Sequence, residues 1–314
     1  MAQVVVTGAS GYLGGRLVEH LVAGGHHVRA IGRQPPPWLM AAGGDHEVVD
    51  LARDVPPSAL AGADAVVHLA APNEVEAGDD PAGTVATTVA ITANVGRAAA
   101  AASVGRVVYL STVHVYGPAI VDGAVLTETT ATAPTHPYAV ARLQSEQAMA
   151  REIGDDRLVV LRLTNAVGAP AAPVVARWTL LVNDLCREAA VAGTVTLKSA
   201  GDQWRDFVPL VDVVRIATLA TNAAGLPSAT YNLGSGTPAT VRSMAARVQD
   251  AFRRLGGVEP KLLAPDPSGP APQPYRVDVS KLAACGVRAD GDIGAAVDET
   301  ARFCIEHRES LRNG

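Results

Sequence analysis

Val4-Val5-Val6-Thr7-Gly8-Ala9-Ser10-Gly11-Tyr12-Leu13-Gly14 joins a β-branched run to an amphipathic stretch through three glycines. The apolar residues Leu13, Leu17, Leu21 and Val22 recur at helical spacing, so the segment reads as strand, tight turn and a helix over 12–23. With no side chain at Gly8 or Gly11 the backbone can approach a pyrophosphate, whose charge suits the N–H groups of a helix N-terminus. Gly14 lets the helix lie close on the strand. A glycine triplet alone is an ordinary turn; its place after a strand and before a helix gives it weight. The stretch points to a dinucleotide site made by Gly8, Ser10, Gly11, Tyr12, Leu13 and Gly14.

Outward from that turn, β-branched runs at 28–31, 47–49, 65–69, 106–110 and 158–163 alternate with helical stretches at 84–102 and 138–151. Strands alternating with helices of this length predict parallel βαβ units. The fold class is α/β: a Rossmann-type doubly wound parallel sheet with a smaller C-terminal α/β lobe. Residues 1–164 are expected to form the dinucleotide-binding domain, with 206–234 returning to it, and 165–205 with 235–314 the substrate-binding lobe. In that second half Pro170 and Pro173 mark a loop, helices are expected at 177–190, 211–221, 241–255 and 295–306, and a short strand at 195–197. Pro265 to Pro274 holds five prolines and is expected to be a surface loop.

The 314 residues suffice for a large core, and 48% hydrophobic with 18% charged residues is a globular composition. A net charge of −5 argues against a nucleic-acid partner. Cys186, Cys285 and Cys304 are far apart in sequence, so neither a disulfide framework nor a metal site is expected. The first strand begins by residue 3 or 4, which leaves no room for a signal peptide, and no apolar run approaches the roughly 20 residues of a membrane span. The expectation is a cytoplasmic protein with no membrane partner. Only Lys198, Lys261 and Lys281 of the 26 basic residues are lysines.

The end of the second strand, Ala30-Ile31-Gly32-Arg33, bears on the cofactor. An acid there favours the ribose hydroxyls of NAD, whereas an arginine accepts the 2′-phosphate of NADP. Gly32 stands where the acid is sought and Arg33 follows, so NADP(H) is favoured and NAD(H) stays open.

Two further segments make the reading specific: Val107-Val108-Tyr109-Leu110-Ser111-Thr112-Val113-His114-Val115-Tyr116-Gly117 and Tyr138-Ala139-Val140-Ala141-Arg142. With the glycine turn they resemble the extended short-chain dehydrogenase/reductase superfamily, in its NAD-dependent epimerase/dehydratase branch. The resemblance runs nearly the whole length, through Asp50-Leu51, His68-Leu69-Ala70-Ala71, Asn94-Val95, Arg162 to Gly168, Arg205-Asp206-Phe207-Val208 and Tyr231 to Gly236. It implies Tyr138 as catalytic acid/base, Thr112 as the hydroxyl that hydrogen-bonds the reacting oxygen, and a cation at position 142. The family has lysine there; this chain has Arg142, which keeps the charge but has a bulkier fork that does not titrate. The resemblance also implies cofactor contacts from Asp50, Leu51, Leu69, Ala70, Ala71, Asn94, Tyr138 and Arg142. By the same resemblance Asn165, Arg205 and Arg276 face the diphosphate of a nucleotide sugar, and two copies pair through the 84–102 and 138–151 helices.

The chemistry is self-consistent. Reducing a ketone needs a hydride on carbon and a proton on the developing alkoxide, and a tyrosine near pKa 10 is a poor acid/base without a cation beside it. Val113-His114 lacks the acidic pair of related 4,6-dehydratases, which disfavours dehydration; His114 is then a substrate contact, a group in proton transfer or a packed, hydrogen-bonded residue. The leading expectation is NADPH-dependent reduction of a keto group on a nucleotide-diphosphate sugar, such as C4 of a dTDP-4-keto-6-deoxyhexose. The alternatives are an NAD-dependent UDP-sugar 4-epimerase and a non-catalytic NADP-binding protein. Reduction of a lipophilic carbonyl compound is disfavoured by Arg205.

Overall fold

The computed structural model describes residues 1–35, 39, 44–72, 80–175, 177–267 and 269–312. Its centre is a seven-stranded sheet of β1 (Gln3–Thr7), β2 (His27–Gly32), β3 (Asp45–Val48), β4 (Ala65–His68), β5 (Arg106–Thr112), β7 (Leu158–Leu163) and β11 (Thr230–Leu233). The spatial order is β11-β7-β5-β4-β1-β2-β3, and every neighbouring pair is parallel. Val4, Val5 and Val6 are all fully buried, as expected where helices cover both faces of a parallel sheet.

Two apolar layers form those faces. Helices α1 (Tyr12–Ala23) and α5 (Leu210–Ala220) supply Leu17, Leu21, Val213 and Ile216 to one. Helices α2 (Pro81–Ala101) and α3 (Pro137–Ile153) supply Val95, Ala99, Met149 and Ile153 to the other. The strand order reverses between β1 and β4, which places a topological switch point at the glycine turn.

The remaining elements build a second core. Helices α4 (Leu181–Ala192), α6 (Val241–Gly256) and α8 (Ile293–Glu306) enclose Leu185, Met244, Val248, Phe252 and Val297. They pack with a three-stranded sheet ordered β12 (Pro238–Thr240), β10 (Trp204–Pro209), β8 (Asn165–Val167), and with the pair β9 (Thr194–Thr196) and β13 (Lys261–Leu263). A last pair joins β6 (Val125–Leu126) to β14 (Arg276–Val277). Between β14 and α8 lies the short helix α7 (Ser280–Ala284).

One boundary differs from the sequence expectation. The helix expected from Arg177 starts at Leu181, because Leu180 is extended (φ −76°, ψ 130°), and it runs on to a left-handed Gly193. Residues 206–209 pair with β8 and β12 in the small sheet, while Val208 packs in an apolar layer of the central sheet. The proline-rich 265–274 segment includes Ser268, which lies outside the described residues.

Candidate active site

At the switch point the carboxyl ends of β1, β2 and β4 open into a cleft of about 700 Å³. Gly8, Ser10 and Gly11 line it from the turn, Gly32 and Arg33 from the end of β2, and Leu69, Ala70 and Ala71 from the loop after β4. Asp50 and Leu51 reach it from beyond β3. Gly8 takes a φ of +69°, and a Cβ there would lie 2.8 Å from the Ala70 nitrogen, so both backbone shape and space demand glycine. A Cβ at Gly14 would fall 2.1 Å from the Gly8 carbonyl oxygen, which is how closely α1 lies under its own turn. Gly11 caps α1 without any side-chain hydrogen bond, leaving first-turn N–H groups for an anion. A backbone cradle, an uncapped helix end and a cleft of this size fit a nicotinamide dinucleotide.

Some expected cofactor residues act on the cleft indirectly. The Tyr12 side chain is buried, with its hydroxyl donating to the Gly168 carbonyl at 2.8 Å, and burial raises its pKa. Leu13 packs against the apolar layer of α1, so it and Tyr12 offer only backbone to a ligand. The Asn94 amide donates to the carbonyls of Leu51 (3.0 Å) and Arg53 (3.4 Å), bracing the loop that carries Asp50 and Leu51. The Asp50 carboxylate caps its own turn at Ala52 N–H, 3.1 Å away. Gln34 and His46, which the sequence did not single out, also line the cleft.

The residues expected to react sit at the end of β5 and the start of α3. Thr112 closes β5 and its Oγ1 accepts the His114 N–H at 3.2 Å, starting the 3-10 turn Val113–Ala119. Tyr138 lies in the first turn of α3, where the His136 Nδ1 accepts its N–H at 3.3 Å. Arg142 follows one turn later on the same face, with its guanidinium carbon 5.2 Å from the Tyr138 ring centre. Its Nη1 donates to the Leu110 carbonyl at 3.1 Å, which ties the helix to β5 two residues before Thr112. Burial alone pulls the guanidinium pKa down; the Tyr138 and Tyr109 phenols outweigh it, so the group stays charged. Its Nε is buried and has no hydrogen-bond partner among the described residues. His114 is exposed.

A buried polar cluster holds this corner. Glu146, one further turn along α3, takes a bidentate pair from Arg162 of β7 (Nε 3.2 Å, Nη2 2.8 Å) and a hydrogen bond from Ser111. Arg162 Nη1 donates to the Tyr116 hydroxyl at 3.2 Å, and that hydroxyl donates to Asn232 at 2.6 Å. Sequence reasoning passed over Glu146. The one signal was spacing, because 138, 142 and 146 share a helix face.

On the side expected to face the substrate, β8 pairs with β10 so that Asn165 lies opposite Phe207, and the Asn165 amide donates to the Asp206 carbonyl at 2.8 Å. Asp206 is buried and accepts Thr164 Oγ1 (2.9 Å) and Ser235 N–H (2.9 Å); burial raises its pKa. Among the described residues the half-buried Arg205 and the exposed Arg276 have no ion pair, and Arg276 is placed by β14 against β6. Among these residues no cluster could hold a metal ion, and no helix is long and apolar enough to cross a membrane.

A dinucleotide-sized cleft at the switch point, a tyrosine beside a fixed cation and a second lobe that carries arginines are features of an extended short-chain dehydrogenase/reductase. Residues 4–234 match the NAD dependent epimerase/dehydratase family, and the chain belongs to that family. It is an NAD(P)-dependent enzyme of this type. It is 30% identical over 291 residues to a dTDP-6-deoxy-L-talose 4-dehydrogenase (NAD(P)(+)) of Kitasatospora kifunensis, covering 89% of this chain and 88% of the relative. A UDP-glucose 4-epimerase of Rhizobium leguminosarum bv. trifolii is 28% identical over 278 residues, covering 82% and 84%. Among solved structures, MoeE5 in complex with UDP-glucose and NAD superposes with a TM-score of 0.78 at 25% identity, covering 98% of this chain and 99% of that one.

Proposed function

We propose that this enzyme reduces a keto group on a nucleotide-diphosphate sugar with NADPH, the best-fitting substrate being a dTDP-4-keto-6-deoxyhexose. The Tyr138–Arg142 pair carries the reading: a phenol in the first turn of α3 with a permanent cation 5.2 Å from its ring. When bound, the cofactor supplies a hydride to the keto carbon. Tyr138 gives its phenolic proton to the oxygen as the C=O double bond becomes C–O, and solvent later reprotonates the phenolate. Arg142 stabilises that phenolate. The Thr112 hydroxyl donates a second hydrogen bond to the same oxygen. Arg205, with Arg276, neutralises the diphosphate, and Asn165 supplies a polar contact. Gly8, Ser10 and Gly11 hold the pyrophosphate of the cofactor, and Arg33 its 2′-phosphate.

Two observations favour NADP and position 4. A Cβ at Gly32 would meet nothing within 4 Å, so the place where NAD enzymes carry an acid is open space beside the exposed Arg33. The Kitasatospora relative is named for oxidation at carbon 4 of a dTDP-deoxysugar with NAD(P)+. A second reading, an NAD-dependent UDP-sugar 4-epimerase using the same Tyr138 and Thr112, is favoured by the Rhizobium relative and by the UDP-glucose and NAD in MoeE5.

One spectrophotometric assay separates the two. Consumption of NADPH, faster than NADH, with keto-sugar nucleotides is the expected result. Purified protein that carries stoichiometric NAD and converts a UDP-hexose without net cofactor change would establish the epimerase instead.

A further inference from the structure

The last residue of β4 has no role in the chemistry above. His68 is fully buried, and its ring stacks on Tyr109 with the centroids 5.6 Å apart. Its Nδ1 lies 2.7 Å from Thr7 Oγ1 and its Nε2 lies 3.1 Å from Thr92 Oγ1.

The proton positions follow from what each partner can give and take. A threonine hydroxyl has one proton and two lone pairs. Thr7 Oγ1 accepts the N–H groups of Leu69 and Ala70, each at 3.1 Å, so its own proton goes to His68 Nδ1. The Leu69 N–H is shared with the Thr7 carbonyl at 3.3 Å. At the other end Thr92 Oγ1 donates to the Thr88 carbonyl at 2.9 Å, so it can only accept from the histidine. Both ends require the same neutral tautomer, with Nδ1 as acceptor and Nε2–H as donor. Burial, aided by the charge of Arg142, holds the ring pKa at about 3 and keeps it in that form.

We propose that His68 is a positioning residue for the dinucleotide: it clamps the glycine turn, the 69–71 loop and helix α2 into one cradle. The inference rests on reading the cleft as a dinucleotide site. Thr7 immediately precedes Gly8, and the two N–H groups that its hydroxyl gathers belong to Leu69 and Ala70, which line the cleft. Gly8 is pressed so closely on that loop that a Cβ would sit 2.8 Å from the Ala70 nitrogen. Without an acceptor at Nδ1 the Thr7 proton turns elsewhere, and the oxygen no longer presents both lone pairs to the loop. The histidine thus acts on the ligand through the threonine and the loop without touching it.

The test compares His68→Gln, whose amide keeps one acceptor and one donor, with His68→Leu, which has neither. NADPH and NADH affinities come from fluorescence titration, with kcat measured at saturating cofactor. His68→Leu should weaken the favoured dinucleotide about tenfold or more, and Thr7→Val should do the same, as expected for a lost buried hydrogen bond. His68→Gln should stay within about threefold, and kcat should change less than KM. Wild-type affinity in His68→Leu, or equal weakness in both His68 variants, overturns the clamp. Should His68→Leu fail to fold, wild-type protein decides: long-range 1H–15N spectra should show an Nε2–H ring that does not titrate between about pH 5 and 8. An Nδ1–H or titrating ring overturns the proposal. Wild-type protein that binds neither dinucleotide brings down the reading of the cleft as well, whereas binding indifferent to His68 brings down the clamp alone.

Discussion

At the scale of single residues, the departure from the family pattern is Arg142, and its surroundings suit an arginine. One Nη donates to the Leu110 carbonyl while the planar group lies over the Tyr138 ring. Lysine has the charge but not the fork. Tyr138→Phe should lower kcat by about 10² to 10⁴-fold, the usual range for a lost general acid, with cofactor affinity held. Arg142→Met should lose a comparable amount, whereas Arg142→Lys should retain measurable turnover; steady-state kinetics on all three check this. Arg142→Lys with no turnover beside an active wild type would show that the guanidinium geometry itself is required. In the cleft beside the glycine turn, Gly32→Asp combined with Arg33→Ala should move selectivity from NADPH toward NADH, read as the ratio of kcat/KM values. The space at Gly32 is open, so the acid needs no rearrangement. An unchanged ratio would mean that Arg33 is merely solvated. Gly8, Arg33, Tyr138 and Arg142 stand out in the sequence because each belongs to a local pattern. The hydrogen bonds of Asn94 and Tyr12 do not, because their partners lie 43 and 156 residues away.

At the scale of elements, α3 matters through a stripe one residue wide. Tyr138, Arg142 and Glu146 recur every four residues, so the phenol proposed to react, the cation beside it and the anchor of the helix share one face. The anchor is a buried ion pair, with 9% of the Arg162 side chain and 8% of the Glu146 side chain exposed. Breaking such a pair by removing one partner costs about 3–5 kcal/mol, because the other charge is left buried alone. Glu146→Ala should therefore lower the unfolding free energy by about that amount and cut turnover by letting Tyr138 drift, seen in urea titration and kcat. A wild-type urea midpoint in the variant would mean that water replaces the carboxylate. The long strands and helices of the first half were readable because a parallel sheet buried on both faces leaves uninterrupted apolar runs. The small sheets were not. β6 and β14 are two residues each, separated by about 150 positions, and no periodicity accumulates over so short a span. The helix start at Leu181 was missed for a related reason: Arg177-Trp178-Thr179 suits a helix, yet Trp178 packs into the second core and Leu180 is held extended.

At the scale of the whole molecule, the stability of the fold is coupled to pH through the groups it buries. His68 has a folded pKa of about 3 against a model-peptide value of 6.5. The unfolded chain therefore binds a proton between those values that the native protein does not, and stability must fall as pH drops below about 6.5. Asp206 works in the opposite sense: its pKa is raised by burial, so its contribution declines as pH rises from its unfolded value toward its folded one. The two oppose each other in acid, and the histidine has the wider span because only its shift is large. At 1.36 kcal/mol per pH unit, moving from pH 7 to pH 5 should cost about 2 kcal/mol through His68 alone. Urea unfolding of wild type and His68→Gln at the two pH values isolates that share, since the glutamine cannot titrate and Asp206 is common to both. Wild type should lose about 2 kcal/mol more than the variant on acidification. Equal losses would mean that the ring titrates normally in the native state and would overturn the tautomer that its two hydrogen bonds imply.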